Sequence, residues 1–214
     1  MKRTSVALVL ALPLCLMLTA NALAGQSEDK KLIKAAKDGD LSVVQEMLAG
    51  GADINAKDSS GQTALTWSLD TKHYNRDIPR LLIEKGANIE AVDNLGETPL
   101  LDAATDGHLG VMKLLIDKGA NINEQDGSGW TPLISAAYSC HRAAVRFLIE
   151  KGANVNIKNY NNKMTAIMTV GDKLEKGCPV GLNPDLTAIY RPLTPDEKER
   201  CEGVEGILKA AGAK

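Results

Sequence analysis

The residues most able to do chemistry are four cysteines, three histidines and a scatter of carboxylates, and their spacing decides which chemistry is open to them. Cys15, Cys140, Cys178 and Cys201 form no Cys-x-x-Cys pair, and His108 stands 35 residues after His73 and 33 before His141. Zinc centres draw their ligands from closely spaced pairs, so no metal is expected. The chain contains no Gly-x-Ser-x-Gly, no phosphate-cradling glycine loop and no His-Glu-x-x-His, which removes the common hydrolase, nucleotide and metalloprotease signatures. Asp172 and Glu175 lie close together in a segment of loop composition. Nothing near them in sequence would activate either acid. No catalytic residue and no cofactor are expected.

Composition bounds what could carry these groups. The 214 residues hold 25 Lys+Arg and 27 Asp+Glu, a net charge of −2, with 44% hydrophobic and 24% charged residues. Wholesale disorder, a polytopic membrane protein and a collagen-like rod are excluded. The near-neutral balance speaks against nucleic acid, whose phosphates demand an excess of Lys and Arg. Seven aromatics (Trp67, Tyr74, Trp130, Tyr138, Phe147, Tyr160, Tyr190) leave the core to Leu, Ile, Val and Ala, as suits thin stacked layers.

The N-terminus reads as a leader. Lys2 and Arg3 precede an apolar run over residues 6–18 broken only by Pro13, and Ala22-Leu23-Ala24 supplies a small-residue cleavage site. These are the three parts of a secretory signal peptide, and the run is shorter than the about 20 residues that span a bilayer. Leu14 before Cys15 does not fit a lipobox. Cleavage after Ala24 would leave 23 Lys+Arg against 27 Asp+Glu, a net charge of −4. The compact leader has a bacterial look, and the periplasm is the expected location.

Beyond it one unit repeats. Gly50-Gly51-Ala52-Asp53-Ile54-Asn55, Lys85-Gly86-Ala87-Asn88-Ile89-Glu90, Lys118-Gly119-Ala120-Asn121-Ile122-Asn123 and Lys151-Gly152-Ala153-Asn154-Val155-Asn156 align, their second residues spaced 35, 33 and 33. Thr63-Ala64-Leu65, Thr98-Pro99-Leu100 and Thr131-Pro132-Leu133 keep the same period, and Thr165-Ala166-Ile167 follows one residue late. Thr98 and Thr131 predict helix N-caps, with Pro99 and Pro132 at the first helical position. Leu100, Ala103 and Ala104 mark one apolar helical face, and Leu133, Ala136 and Ala137 another; the stripes of the following helices are Val111, Leu114, Leu115 and Ile116, then Val145, Phe147, Leu148 and Ile149. Gly119 and Gly152 stop those helices where a positive φ is needed. Asp93-Asn94-Leu95-Gly96 and Asp126-Gly127-Ser128-Gly129 have β-turn composition.

The unit resembles the ankyrin repeat in period, Thr-Pro-Leu signature and glycine stops, over roughly residues 28–170. The resemblance implies an all-α repeat solenoid, each repeat being helix–turn–helix plus a β-turn finger, stacked into an elongated concave array. The expected organisation is a signal peptide (1–24), an N-terminal capping repeat (25–60), three full repeats (61–163) and a degenerate C-terminal capping repeat (164–214) with an inserted loop over 171–193. The signature His is replaced by Thr66, Leu101 and Ile134, so its hydrogen bond to the capping Thr should be absent. Pro79 should delay or kink the second helix of its repeat. Thr194-Pro195-Asp196-Glu197 is a capping box opening a final helix with Val204, Ile207 and Leu208 on one face.

In this family the partner is met by finger tips and exposed positions of the inner helices. Carried over, these give Leu95, Glu97, Thr105, Asp106, Ser128, Trp130, Tyr138, Ser139, Tyr160 and Lys163 as partner-binding candidates. Trp130 either anchors a partner or merely packs over the neighbouring finger. With Cys15 removed, Cys178 in the inserted loop and Cys201 on the last helix are the expected disulfide, the alternative being three free thiols. The expected function is a non-catalytic periplasmic scaffold, monomeric and free of nucleic acid and membrane, that binds a protein and stabilises a periplasmic enzyme. Its alternatives are an immunity protein plugging a toxin and, more remotely, an enzyme using the 171–193 loop.

Overall fold

The computed structural model describes residues 27–182 and 188–213, and the expected leader lies outside them. Among the described residues ten α-helices stack in antiparallel pairs: α1 (27–38) with α2 (Leu41–Ala49), α3 (Ala64–Trp67) with α4 (Asp77–Glu84), α5 (Pro99–Thr105) with α6 (Leu109–Asp117), α7 (Pro132–Tyr138) with α8 (Arg142–Glu150), and α9 (Ala166–Lys176) with α10 (Pro195–Ala210). Successive inner helices pack directly, α3 on α5, α5 on α7 and α7 on α9. This is the all-α repeat solenoid, with one small β-hairpin added near its end.

The local causes are those the sequence carries. Thr63, Thr98 and Thr131 cap their helices by accepting the backbone N–H three residues on, a bond that contributes about 1 kcal/mol per cap. Thr66, which stands for the missing signature His, restores the reciprocal bond: its Oγ1 accepts the Thr63 N–H at 2.8 Å. At Leu101 and Ile134 the side chains are instead buried. Pro79 lies in the first turn of α4, where an absent N–H costs nothing. The helix therefore starts one residue later, relative to its closing glycine, than α6 and α8 do, and is otherwise regular.

The core repeats with the sequence. Leu65, Leu100 and Leu133 on the inner helices and Leu82, Leu115 and Leu148 on the outer ones are each at most 1% exposed. Burying each contributes about 2 kcal/mol. Ala103, Ala104, Ala136 and Ala137 are fully buried, and having only a methyl they let neighbouring inner helices approach closely. Met112, outside the apolar stripe expected for α6, is also fully buried.

The fingers stack on one another through their backbones. The Asn94 N–H donates to Ser60 O at 3.0 Å, Gly127 to Leu95 O at 2.8 Å and Tyr160 to Ser128 O at 2.8 Å. Asp58, Asp93 and Asp126 open the first three fingers and fold each turn by accepting two backbone N–H groups. Asn159 does the same for the fourth.

Two expectations at the C-terminal end are corrected. The 171–193 segment is not a loop throughout. Helix α9 continues to Lys176, and β1 (Cys178–Leu182) then pairs antiparallel with β2 (Ala188–Arg191). The disulfide joins Cys140 to Cys201, with a Cα–Cα distance of 4.8 Å, so Cys201 is not bonded to Cys178. The reason is packing. Helix α10 lies against both α8 and α9, and its buried face of Cys201, Val204 and Leu208 brings Cys201 to Cys140 at the α7–α8 turn. Cys178 stands in β1, and its side chain lies outside what is described.

Candidate functional site: the inner face

Two adjoining cavities lie on the inner face, between the fingers and helices α3, α5 and α7. One cavity of 290 Å³ is lined by Glu97, Leu101, Thr105, Asp126, Ser128, Trp130, Ser135, Tyr138 and Ser139. The second and third fingers supply Glu97, Asp126, Ser128 and Trp130, and α5, α7 and the residue after α7 supply the others. Trp130 and Tyr138 form its aromatic wall, edge to face, with ring centroids 5.2 Å apart and planes at 80°. Trp130 thus packs on the inner helix of its own repeat, and it stays half-buried.

A smaller cavity of 150 Å³ adjoins it, lined by Gln62, Thr66, Trp67, Leu69, Asp70, Asp102, Thr105 and Asp106. Thr105 belongs to both, so the two form one groove across α5. The Trp67 indole N–H donates to Asp58 Oδ2 at 2.7 Å, and the Lys37 ammonium sits 3.5 Å above its ring. At the other end the Lys173 ammonium lies 4.7 Å from the Tyr138 ring centre and donates to Tyr138 O at 2.6 Å.

The groove's electrostatics are one-sided. Asp70, Glu97, Asp102, Asp106 and Asp126 line it, and among the described residues no Lys or Arg does, Lys37 and Lys173 standing over aromatic rings at its two ends. Burial first, and then the charges of Glu97, Asp93 and Asp106, push the Asp102 carboxyl up to about 8. Burial, with Asp93 and Asp126, also raises Glu97. The outer side differs. Its 660 Å³ cavity between α4 and α6 carries both signs, and Arg80 pairs with Glu84 at 2.9 Å while Lys151 pairs with Asp117 at 3.4 Å.

Of the ten candidate residues, Glu97, Thr105, Ser128, Trp130, Tyr138 and Ser139 share the larger cavity and Asp106 lines the smaller. Leu95 and Tyr160 stand on finger tips, 67% and 52% exposed, and Lys163 is exposed at the end of the fourth finger; none of these three lines the groove. Residue-by-residue carry-over missed Trp67, Asp102 and Ser135. These occupy one repeat position, spaced 35 and 33, one helical turn before the residues carried over. Helical spacing alone places them on the same face. Among the described residues no group of His, Cys, Asp and Glu is arranged to hold a metal ion, and no helix is long and apolar enough to cross a membrane.

The profile of the family described as ankyrin repeats (3 copies) matches residues 32–126 and 77–159. The chain belongs to the ankyrin repeat family, whose members generally act as protein-binding scaffolds and not as catalysts. It is 39% identical over 82 residues to the palmitoyltransferase Hip14 of Drosophila melanogaster, a match covering 38% of this chain and 13% of the fly protein. It is 34% identical over 70 residues to the human ankyrin repeat domain-containing protein 63, covering 33% of this chain and 18% of that one. The Drosophila neurogenic locus Notch protein is 33% identical over 78 residues, covering 36% of this chain and 3% of Notch. The match thus spans less than a fifth of each of these relatives.

Proposed function

We propose that this protein is a non-catalytic binding module of the bacterial periplasm that holds a partner protein against its inner face and stabilises it, the partner being a periplasmic enzyme. One observation carries this reading: residues from two fingers and two inner helices converge on a single cavity with an aromatic wall. Tyr and Trp dominate interface hot spots because they bury a large area while losing little rotamer entropy. Leu95 and Tyr160, exposed on the flanking tips, extend the apolar contact a partner would cover. The Cys140–Cys201 bond suits an oxidising compartment, as does the leader expected over residues 1–24.

The test is capture of partners from periplasmic extract by the mature chain and by its Trp130→Ala/Tyr138→Ala variant. The double variant is expected to retain helical content and to weaken partner binding by about 2 kcal/mol, roughly thirtyfold. Unchanged capture overturns the inner face as the binding surface. N-terminal sequencing of the exported protein is expected to begin at Gly25; a chain retaining Met1 in the cytoplasm overturns the location.

A further inference from the structure

Electrostatics narrow the chemistry of that partner, on the reading that the inner face is the binding face. We propose that the groove across α5 receives an arginine-bearing extended segment of the partner protein, its guanidinium seated against the Trp130 ring beside the Glu97 carboxylate in the larger cavity, with the Asp102 carboxyl in the adjoining smaller one.

Three observations support this. First, Asp58, Asp93 and Asp126 have structural work, since each folds its own finger. The side chains of Glu97 and Asp102 do not: among the described residues neither meets a hydrogen-bond donor or a cation, and both face the groove. Carboxyls held in the company of like charges and without a partner are unfavourable for folding, and a cation from outside relieves them. Second, the chain shows what its aromatic walls accept. Lys37 and Lys173 already place ammonium groups over Trp67 and Tyr138, whereas no cation of the chain covers the Trp130 ring among the described residues. Third, Ser128, Ser135, Ser139 and Thr105 ring the larger cavity with hydroxyl acceptors. A planar group with five donors and a stackable face satisfies carboxylate, hydroxyl and ring together, which a compact ammonium does not.

Binding then couples to protons. At neutral pH the Asp102 carboxyl, raised to about 8, is largely protonated. Glu97, Asp93 and Asp106 oppose its ionisation; Asp70 lines the same cavity and Asp126 the adjoining one, and the nearest cation placed on that cavity's lining is Lys37, over the Trp67 ring. A guanidinium reverses that balance, so binding releases up to about one proton and strengthens as pH rises from 6 to 8.

The experiment is a titration of the isotopically labelled mature chain with hexa-arginine, read by NMR and by calorimetry in two buffers of different ionisation enthalpy, with hexa-lysine as comparator. Expected are shifts centred on the Trp130 indole N–H, Thr105 and Ser139, weaker binding of hexa-lysine, and proton release. Glu97→Gln/Asp102→Asn should weaken hexa-arginine by about tenfold, and Glu97→Gln alone by less. Asp117→Asn/Glu84→Gln, on the outer side, should change nothing. Shifts spread over the surface, equal response to hexa-lysine, or indifference to Glu97→Gln/Asp102→Asn overturns the inference. The underlying reading fails separately: if captured partner binding depends on Trp130 and Tyr138 but not on Glu97 and Asp102, the face stands and the arginine does not.

Discussion

The first three fingers and the C-terminal end solve the same backbone problem with different residues. Fingers one to three each place a glycine at positive φ: Gly61 at 78°, Gly96 at 81° and Gly129 at 81°. A β-carbon there would lie 2.8 Å from the next finger's backbone nitrogen at Gly61 and Gly96, and 2.5 Å from it at Gly129. The neighbour forbids a side chain. Among the described residues no further finger stacks on the fourth, and there Lys163 takes the left-handed conformation with φ 57°. The inter-helix turns show the same shift. Gly39 and Gly107 are left-handed at 76° and 74°, while Cys140 adopts φ 58° at the matching turn of the fourth repeat. Interior positions are thus dictated by stacking. At the end, where the stacking of fingers stops, the chain accepts about 1 kcal/mol of left-handed strain at each site and adds other means of holding itself together.

The disulfide is the largest of those means, and breaking it is the strongest test. It closes a loop with a sequence separation of 61, which in the chain-entropy model stabilises by about 4 kcal/mol. Cys140→Ala/Cys201→Ala is therefore expected to lose most of that in denaturant unfolding. Amide exchange should rise in α9 and α10 while α3 to α6 stay protected. Cys140→Gly/Cys201→Ala lacks the bond equally but relieves the left-handed strain, so it should recover about 1 kcal/mol. Equal loss in both variants would show that Cys140 carries no strain; uniform exchange along the stack would show that the bond does not belong to the end alone.

Next in size is the contrast between the fingers. Gly129→Ala adds a methyl both at positive φ and against Tyr160 N, and should cost about 2 kcal/mol or more. Lys163→Gly touches nothing stacked and should stay within about 1 kcal/mol of the parent. Thermal unfolding of the two decides. A Gly129→Ala cost of no more than the about 1 kcal/mol of left-handed strain would mean that backbone conformation, and not the neighbouring finger, selects glycine in the interior.

This contrast also explains what was legible in the sequence. Period, caps, glycine stops and the inner and outer apolar faces recur at fixed spacing, so each repeat confirms the next, and the family followed from them. The capping box of Thr194 and Glu197 is local and equally readable. The pairing of Cys140 with Cys201 is neither periodic nor local. It arises from where α10 packs, which depended on α9 running on to Lys176 and on the β1–β2 hairpin that separates the two helices. Of the groove, the finger residues and the ends of the inner helices were visible. Asp102 was not, because its type matches neither Trp67 nor Ser135 at the same repeat position. A charge that appears in one repeat only leaves no periodic trace.

Two acids carry the same comparison into pH. In the interior, Asp102 has its carboxyl raised to about 8 in the fold, against about 4 in an unfolded chain. The folded state therefore keeps a proton that the unfolded state releases. The contribution is fully present below about pH 4 and is lost as pH rises through about 8. At the end, Glu197 accepts both guanidinium nitrogens of Arg191, at 2.6 and 2.8 Å, and caps α10 through the Thr194 N–H at 2.9 Å. The Arg191 bonds above all hold its carboxyl well below the usual range. Its contribution is present above about pH 4 and disappears as pH falls below it. Asp102→Asn should accordingly flatten the decline in melting temperature between pH 5 and 8 and leave the acid limb unchanged. Glu197→Gln should soften only the acid limb. The latter is the smaller effect, because the Arg191–Glu197 pair is partly exposed and screened by solvent. Identical pH profiles for Asp102→Asn and the parent would place that carboxyl in ordinary solvent, and the interior groove would then hold no electrostatic strain for a partner to relieve.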